Sequence, residues 1–342
     1  MLKMTADIPL KRFMEEPVTA QVLPYLIGNG DELFEIPGIT LHEIQERQNS
    51  WNAEDMAYGL NRLLEVASTE KKYVYSIYTA EEIHEKPARS SGQIIWFPRK
   101  KKAAFFEKSF VIVIAGGGYD AVCSIAEAFP AAARLNDLGI TSFVLNYQVH
   151  TKSMVPGEKL FPEPMRDLAH AYRMIADHSA QFAVDPLSYS VMGFSAGGHL
   201  AAIWGTEHAG ARSYHLPQPK ALFCAYPFLT FDHMEEICSE AYVKAQKISM
   251  LGSGDADFSE YSVNQHIDKN YPPTYLVHCE DDNLVPFADS LHFRDVLQSH
   301  KIPCRMERYK SGGHGFGLGD HTSASGWIER AVSAWESFQV DL

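Results

Sequence analysis

Between residues 189 and 202 an apolar run, Tyr189-Ser190-Val191-Met192, meets Gly193-Phe194-Ser195-Ala196-Gly197 and then helix-forming Gly198-His199-Leu200-Ala201-Ala202. A G-x-S-x-G pattern between a strand and a helix restricts the fold more than any other feature of the chain. A strand that turns abruptly into a helix leaves no room for β-carbons beside the middle residue. That accounts for the two glycines and holds the serine in a strained backbone conformation. The strain exposes the Ser195 hydroxyl and aims the helix N-terminus at whatever reacts there.

A serine hydroxyl is a poor nucleophile until a base takes its proton, and the base needs an acid to orient it. The sequence after Ser195 offers both, each just past a strand-like run. Tyr275-Leu276-Val277-His278-Cys279 leads into Glu280-Asp281-Asp282-Asn283-Leu284-Val285-Pro286, and Cys304–Tyr309 is followed by Ser311-Gly312-Gly313-His314-Gly315-Phe316-Gly317. The C-terminal ends of strands are where open α/β sheets build their sites. His314 is the candidate base. Glu280, Asp281 and Asp282 compete for the acid, and spacing does not choose among them. Earlier, Val111-Ile112-Val113-Ile114 runs into Ala115-Gly116-Gly117-Gly118-Tyr119. Residues without side chains let backbone N–H groups approach a substrate closely. Gly117 and Gly118, with Ala196 directly after the serine, are therefore the expected donors to an oxyanion.

From about Lys72 the pattern alternates strand and helix. Strands are expected at Tyr73–Tyr78, Gln93–Phe97, Phe110–Ala115, Thr141–Tyr147, Tyr189–Gly193, Ala221–Pro227, Thr274–Cys279 and Cys304–Tyr309. Several are continuous apolar runs, as in strands buried on both faces, so the centre of the sheet should be parallel. Helices are expected at Ser124–Leu138, Pro164–His178, Ala196–Thr206, Phe287–Ser299 and Trp327–Phe338. This is an α/β domain over residues 71–342 with helices on both faces of a mostly parallel sheet. Residues 229–270 hold helical stretches without a strong strand, as a cap insertion over the strand ends would. Residues 1–70 form an N-terminal extension. It carries turn formers at Asn29-Gly30-Asp31 and Pro37-Gly38, and an amphipathic helix that Asn52 caps and Met56, Leu60, Leu63, Leu64 and Val66 line. That apolar face must be buried, either against its own core near the mouth of the site or in a homodimer.

The chain resembles the α/β-hydrolase superfamily, and more narrowly its acetylxylan-esterase-like bacterial esterases, over roughly residues 72–342. Asp282-Asn283-Leu284-Val285-Pro286 is similar to their D-x-x-V-P segment, which implies Asp282 as the acid of a Ser195–His314–Asp282 triad. Ala115-Gly116-Gly117-Gly118-Tyr119 resembles their P-G-G-G-Y loop, with alanine in the proline place. Leu145-Asn146-Tyr147 and Pro162-x-Pro164-x-x-Asp167 resemble the family too. The resemblance implies a serine esterase that forms an acyl-enzyme, acting on short, above all acetyl, esters of a carbohydrate or other small alcohol. Tyr119, Phe194, Tyr147, Tyr226 and Phe316 adjoin the motifs and are expected in part to line the substrate pocket.

Other readings weigh less. A peptidase of the prolyl-oligopeptidase type shares this core, but a propeller does not fit into the 108 or so residues before the glycine loop. Gly116-x-Gly118-x-x-Ala121 satisfies a loose dinucleotide fingerprint, yet the next strand ends in Asn146-Tyr147-Gln148 without the acid that would hold a ribose. An inactive binding module of this fold would have lost part of the triad, and nothing is lost. His42-Glu43-x-x-Glu46 lacks the second histidine of a zinc motif and reads as a solvated helix face. His199 reads as a packing residue and Asp167 as a local helix anchor; His150 and His278 flank strand ends, where either could line the site but a bland role weighs more. No cofactor or metal is expected. The 43 acidic against 30 basic side chains, a net charge of −13, oppose nucleic acid and anionic membranes as partners. Arg99-Lys100-Lys101-Lys102 reads as a solvated turn. Five scattered cysteines and an N-terminus without an apolar signal segment point to the cytoplasm.

Overall fold

The computed structural model describes residues 2–23, 26, 36–48, 50–101, 106–150 and 157–340. The Asn29-Gly30-Asp31 turn lies outside them. Eight strands form one sheet: β1 Val74–Ser76, β2 Gln93–Phe97, β3 Phe110–Ile114, β4 Thr141–Asn146, β5 Tyr189–Phe194, β6 Leu222–Ala225, β7 Thr274–Cys279 and β8 Cys304–Tyr309. Their order across the sheet is β1-β2-β4-β3-β5-β6-β7-β8. β1, β2 and β4 pair antiparallel, and every pair from β4/β3 to β7/β8 is parallel. Every residue of β3 to β7 is buried, as the continuous apolar runs require, whereas the edge strand β8 is partly exposed.

Helices Ala128–Asp137, Glu163–Asp177, Ser195–Trp204, Phe287–Ser299 and Trp327–Val340 follow the sequence pattern closely. The first starts four residues later than expected. Pro130 is tolerated within a first turn, but its ring would clash with the carbonyl four residues back in a helix already running at Ser124. Between β6 and β7 the insertion is helical, with Met234–Ile237 and Glu240–Leu251. None of the five cysteines is in a disulfide. Among the described residues no helix is long and apolar enough to cross a membrane.

The N-terminal helix Ala53–Thr69 is capped by Asn52, whose side chain accepts from the N–H of Asp55 at 2.9 Å. Its five expected apolar residues are all buried, and it packs along helix Ala128–Asp137 of the same chain. Polar ties reinforce the contact: Tyr58 Oη donates to Asp137 at 2.5 Å, and Arg62 donates to Asn136 Oδ1 at 3.0 Å and to the Pro98 carbonyl at 2.6 Å. Lys100, from the basic cluster, pairs with Asp137 at 3.1 Å.

The two helices approach so closely at Gly59 that a β-carbon there would stand 2.6 Å from the backbone nitrogen of Pro130. Gly59→Ala would gain up to about 1 kcal/mol of helix propensity. Overpacking against immovable backbone costs about 1–3 kcal/mol, so the variant should unfold at lower denaturant. An unchanged or higher midpoint would mean that the helices do not meet there.

Candidate active site

The elbow at Ser195 has the conformation that its glycines imply. Ser195 sits at φ 51°, in the left-handed region, as the first residue of helix Ser195–Trp204. A β-carbon on Gly193 would stand 2.0 Å from the Gly197 carbonyl oxygen, and one on Gly197 would stand 2.3 Å from that of Ile114. Strand β5, its helix and β3 therefore close around the serine with no space for side chains at those positions.

His314 Nε2 lies 2.8 Å from Ser195 Oγ, and His314 Nδ1 lies 2.7 Å from Asp282 Oδ2. An ionised carboxylate only accepts, so Nδ1 carries the proton and Nε2 accepts from the serine hydroxyl. The three neighbouring acids have separate partners. Asp281 accepts from the N–H groups of Gly312 and Gly313 at 3.2 and 2.9 Å, which pins the loop that carries His314. Glu280 pairs with Arg308 at 3.4 Å. Only Asp282 reaches the imidazole. Its Oδ1 accepts from the N–H groups of Leu284 and Val285, and its Oδ2 also accepts from His278 Nε2 at 3.0 Å. Burial by itself would raise this carboxyl, but the hydrogen bonds from His278 and His314 outweigh it and hold the group well below the usual carboxylate range. His278 is thus no bland neighbour: fully buried, with Ser290 Oγ 2.8 Å from its Nδ1, it fixes the acid from behind.

Gly117, Gly118 and Ala196 border the space beside Ser195 Oγ. Glu127, which no sequence motif marks, ties this glycine loop to the histidine loop. Its Oε2 accepts from the Gly116 N–H at 2.6 Å, and its Oε1 accepts from Tyr226 Oη at 2.9 Å. Tyr226 Oη in turn accepts from the Gly317 N–H at 3.1 Å, and the tyrosine ring packs 5.0 Å from the imidazole of His314. Burial raises the carboxyl of Glu127 despite these bonds.

The five aromatic residues of which two or three are expected at the pocket wall all lie behind it. Tyr119, Tyr147, Phe194, Tyr226 and Phe316 are all buried and border neither cavity beside Ser195. Adjacency to a motif does not fix the direction of a side chain. Tyr119 Oη bonds His199 at 2.6 Å and Tyr147 Oη bonds the Ala115 carbonyl at 2.9 Å, so both rings face the core. His199 is the packing residue expected: it also bonds the Tyr261 carbonyl, and burial pushes its imidazole down to about 4. Asp167 is more than a local helix anchor, since it accepts from Tyr78 Oη and from both the backbone and the side chain of Gln148. His150 is half-buried, 3.5 Å from Asp120. Glu43 closes a capping box with Thr40, and among the described residues no group of histidine, cysteine or carboxylate side chains could hold a metal ion. The dinucleotide alternative needs a helix starting on the glycine loop, and the helix starts only at Ala128.

Two spaces open at Ser195. One is small and apolar, about 50 Å³, bounded by Ala196, Phe228, Phe231, Met250 and Val285. The other is wide, about 630 Å³, bounded by His314 and by polar groups such as Asp120, Gln246 and Asn283. Tyr242, Gln246 and Met250 come from one face of the inserted helix Glu240–Leu251 and border the small space. Their four-residue spacing was the available sequence signal for this wall.

Residues 95–297 match the BD-FAE family model. The chain belongs to the BD-FAE family. It is 26% identical over 230 residues to endo-1,4-beta-xylanase B of Butyrivibrio fibrisolvens, a match that covers 65% of this chain and 34% of the relative. It is 27% identical over 212 residues to the acetylxylan esterase of Xylanibacter ruminicola, covering 61% and 41%. The chain thus spans less than half the length of these curated relatives. Among solved structures, the acetyl ester-xyloside bifunctional hydrolase of Caldicellulosiruptor lactoaceticus superimposes with a TM-score of 0.63 at 26% identity, covering 78% of this chain and 96% of that one. The fold is that of the α/β hydrolases.

Glu127 offers a test of the coupling between the two loops. Glu127→Ala leaves the Gly116 N–H and the Tyr226 hydroxyl without their partner, at about 1–3 kcal/mol for each, so the unfolding midpoint should fall sharply. Glu127→Gln should lose less. A carboxyl raised on folding contributes fully below its unfolded value, about 4.3, and loses that contribution as pH rises through the folded value. Denaturant melts across that window should therefore show Glu127→Gln gaining on the wild type as pH rises. A gap independent of pH would contradict the raised carboxyl.

Proposed function

We propose that the protein is a carboxylic ester hydrolase that works through an acyl-enzyme, with Ser195 as nucleophile, His314 as base and then acid, and Asp282 as the group that orients the imidazole. The observation that carries this reading is the unbroken chain Ser195 Oγ–His314 Nε2, His314 Nδ1–Asp282 Oδ2 at the meeting point of the two spaces. Ser195 Oγ attacks the ester carbonyl while His314 takes its proton. The N–H groups of Ala196, Gly117 and Gly118 receive the developing oxyanion, and each such donor is worth about 3–4 kcal/mol. His314 then returns the proton to the departing alkoxide, and water releases the acid by the same steps in reverse.

The proton route assigns the two spaces. The alkoxide takes its proton from His314 Nε2, so the alcohol occupies the wide polar space that His314 borders. The acyl group is left with the apolar space of about 50 Å³, room for about three or four water-sized groups. A short acyl group, acetyl foremost, on a bulky polar alcohol fits this division, and a carbohydrate fits it best. Relatives named for acetylxylan and for acetyl ester-xyloside hydrolysis support the same substrate class.

Ser195→Ala should abolish nearly all turnover of p-nitrophenyl acetate. Asp282→Asn removes the acceptor that fixes the imidazole tautomer and should cost about 10⁴-fold in kcat. Asp281→Asn keeps an acceptor for the loop glycines and should cost less than about tenfold. If the two aspartate variants ranked the other way, Asp281 would be the acid. Across p-nitrophenyl esters from acetyl to decanoyl, kcat/KM should peak at the shortest chains. A maximum at octanoyl or longer would overturn the assignment of the small space to the acyl group.

A further inference from the structure

The wide space has a wall that the family match does not account for. Gln48, Ser50 and Trp51 border it together with Asp120, Gln246 and Asn283, yet they lie far ahead of the matched residues 95–297. They reach the site because of how the N-terminal segment docks. Helix Leu41–Arg47 packs on Ala53–Thr69, which is itself seated on Ala128–Asp137, so the short link between the first two falls over the histidine loop. Ser50 Oγ and Trp51 Nε1 are the atoms nearest to the open side of Gly315, 3.1 and 3.5 Å from where a β-carbon would stand. Gly315 directly follows His314, so the half-buried indole stands beside the group that protonates the departing alkoxide.

The link is held from both sides. The Trp51 N–H donates to the Gln48 carbonyl at 2.8 Å, Gln45 Oε1 accepts from the Ala53 N–H at 2.7 Å, and Asn52 caps the following helix. A wall fixed in this way can select a ligand by shape. Its chemistry is equally specific. The Trp51 indole with amides from Gln48, Gln246 and Asn283 and a hydroxyl from Ser50 suits a neutral ring that carries C–H bonds on one face and hydroxyls around its rim. Among the described residues no lysine or arginine borders the space, so none of them offers a countercharge to an alcohol bearing phosphate or carboxylate.

We propose that Gln48, Ser50 and Trp51 form a sugar subsite for the leaving alcohol, in which the Trp51 indole is the platform for a neutral pyranose ring and Gln48 a hydrogen-bonding flank. The proposal rests on the esterase reading above, and it makes the N-terminal segment a determinant of specificity.

The test compares an O-acetylated methyl β-xyloside with ethyl acetate, whose alcohol has no ring, for the wild type, Trp51→Ala and Trp51→Phe. The ratio of kcat/KM for the sugar ester to that for ethyl acetate should fall about five- to tenfold in Trp51→Ala, mainly through KM. Trp51→Phe should restore part of it. Equal losses on both esters would overturn the proposal and leave Trp51 a purely structural role. If Trp51→Ala does not fold, Trp51→Phe and Gln48→Ala carry the same comparison. Binding is followed separately in the Ser195→Ala protein by titrating methyl β-xyloside against indole fluorescence. A saturable change that disappears with Trp51→Phe supports the subsite even if no ester is turned over, which would count against the esterase reading alone. No change on titration, with ester hydrolysis intact, refutes the subsite.

Discussion

Ser195 can stand at φ 51° only because Gly193 and Gly197 allow β5, its helix and the end of β3 to meet without side chains between them. A non-glycine residue in that region costs about 1–3 kcal/mol. The surroundings must hold it there, and they are built to do so. All six residues of β5 and all ten of the helix that follows are buried, so relaxing the serine would disrupt the centre of the sheet. The same crowding brings the glycine loop against the serine: a β-carbon on Gly116 would stand 2.7 Å from that of Ser195. The site exists because the middle of the fold leaves its backbone nowhere else to go.

Around that fixed point, hydrogen bonds arrange the loops. Three loops from three strand ends converge on Ser195, and each is tied by an acid. Asp282 collects two imidazoles and two backbone N–H groups, Asp281 holds the histidine loop by two more, and Glu127 joins that loop to the glycine loop through Tyr226. The opposite behaviour of two of these acids has one explanation. Asp282 receives enough donors, two of them imidazoles, to overcome the cost of burial, whereas Glu127 receives one N–H and one hydroxyl and does not.

The strands, the parallel centre of the sheet and the residues around Ser195 were legible in the sequence, because continuous apolar runs and glycine spacing are local signals. Gln93–Phe97, Thr274–Cys279 and Phe287–Ser299 have the boundaries that the sequence pattern predicts. The acid could not be read from spacing alone, since Glu280, Asp281 and Asp282 differ only in where a turn points them, and the resemblance to known esterases supplied the choice. Glu127 was not legible as part of the site, nor was the hydrogen bond by which His278 holds Asp282. Their partners lie in space, across 99 residues of chain for Glu127 and Tyr226, and no periodicity encodes that. The pocket walls were misread for a related reason: Tyr119 and Phe194 adjoin the motifs, but the pleat and the turn send their rings into the core, while distant Trp51 and Gln246 face the cavity.

The account stands or falls on covalent chemistry at one hydroxyl. Rapid acid quench of the protein during turnover of p-nitrophenyl acetate, followed by peptide mapping in a mass spectrometer, reads that chemistry directly. The account predicts an acetyl adduct on Ser195 that accumulates before steady state and disappears when substrate is exhausted. Turnover without any adduct, or an adduct on another residue that is kinetically competent, would contradict it.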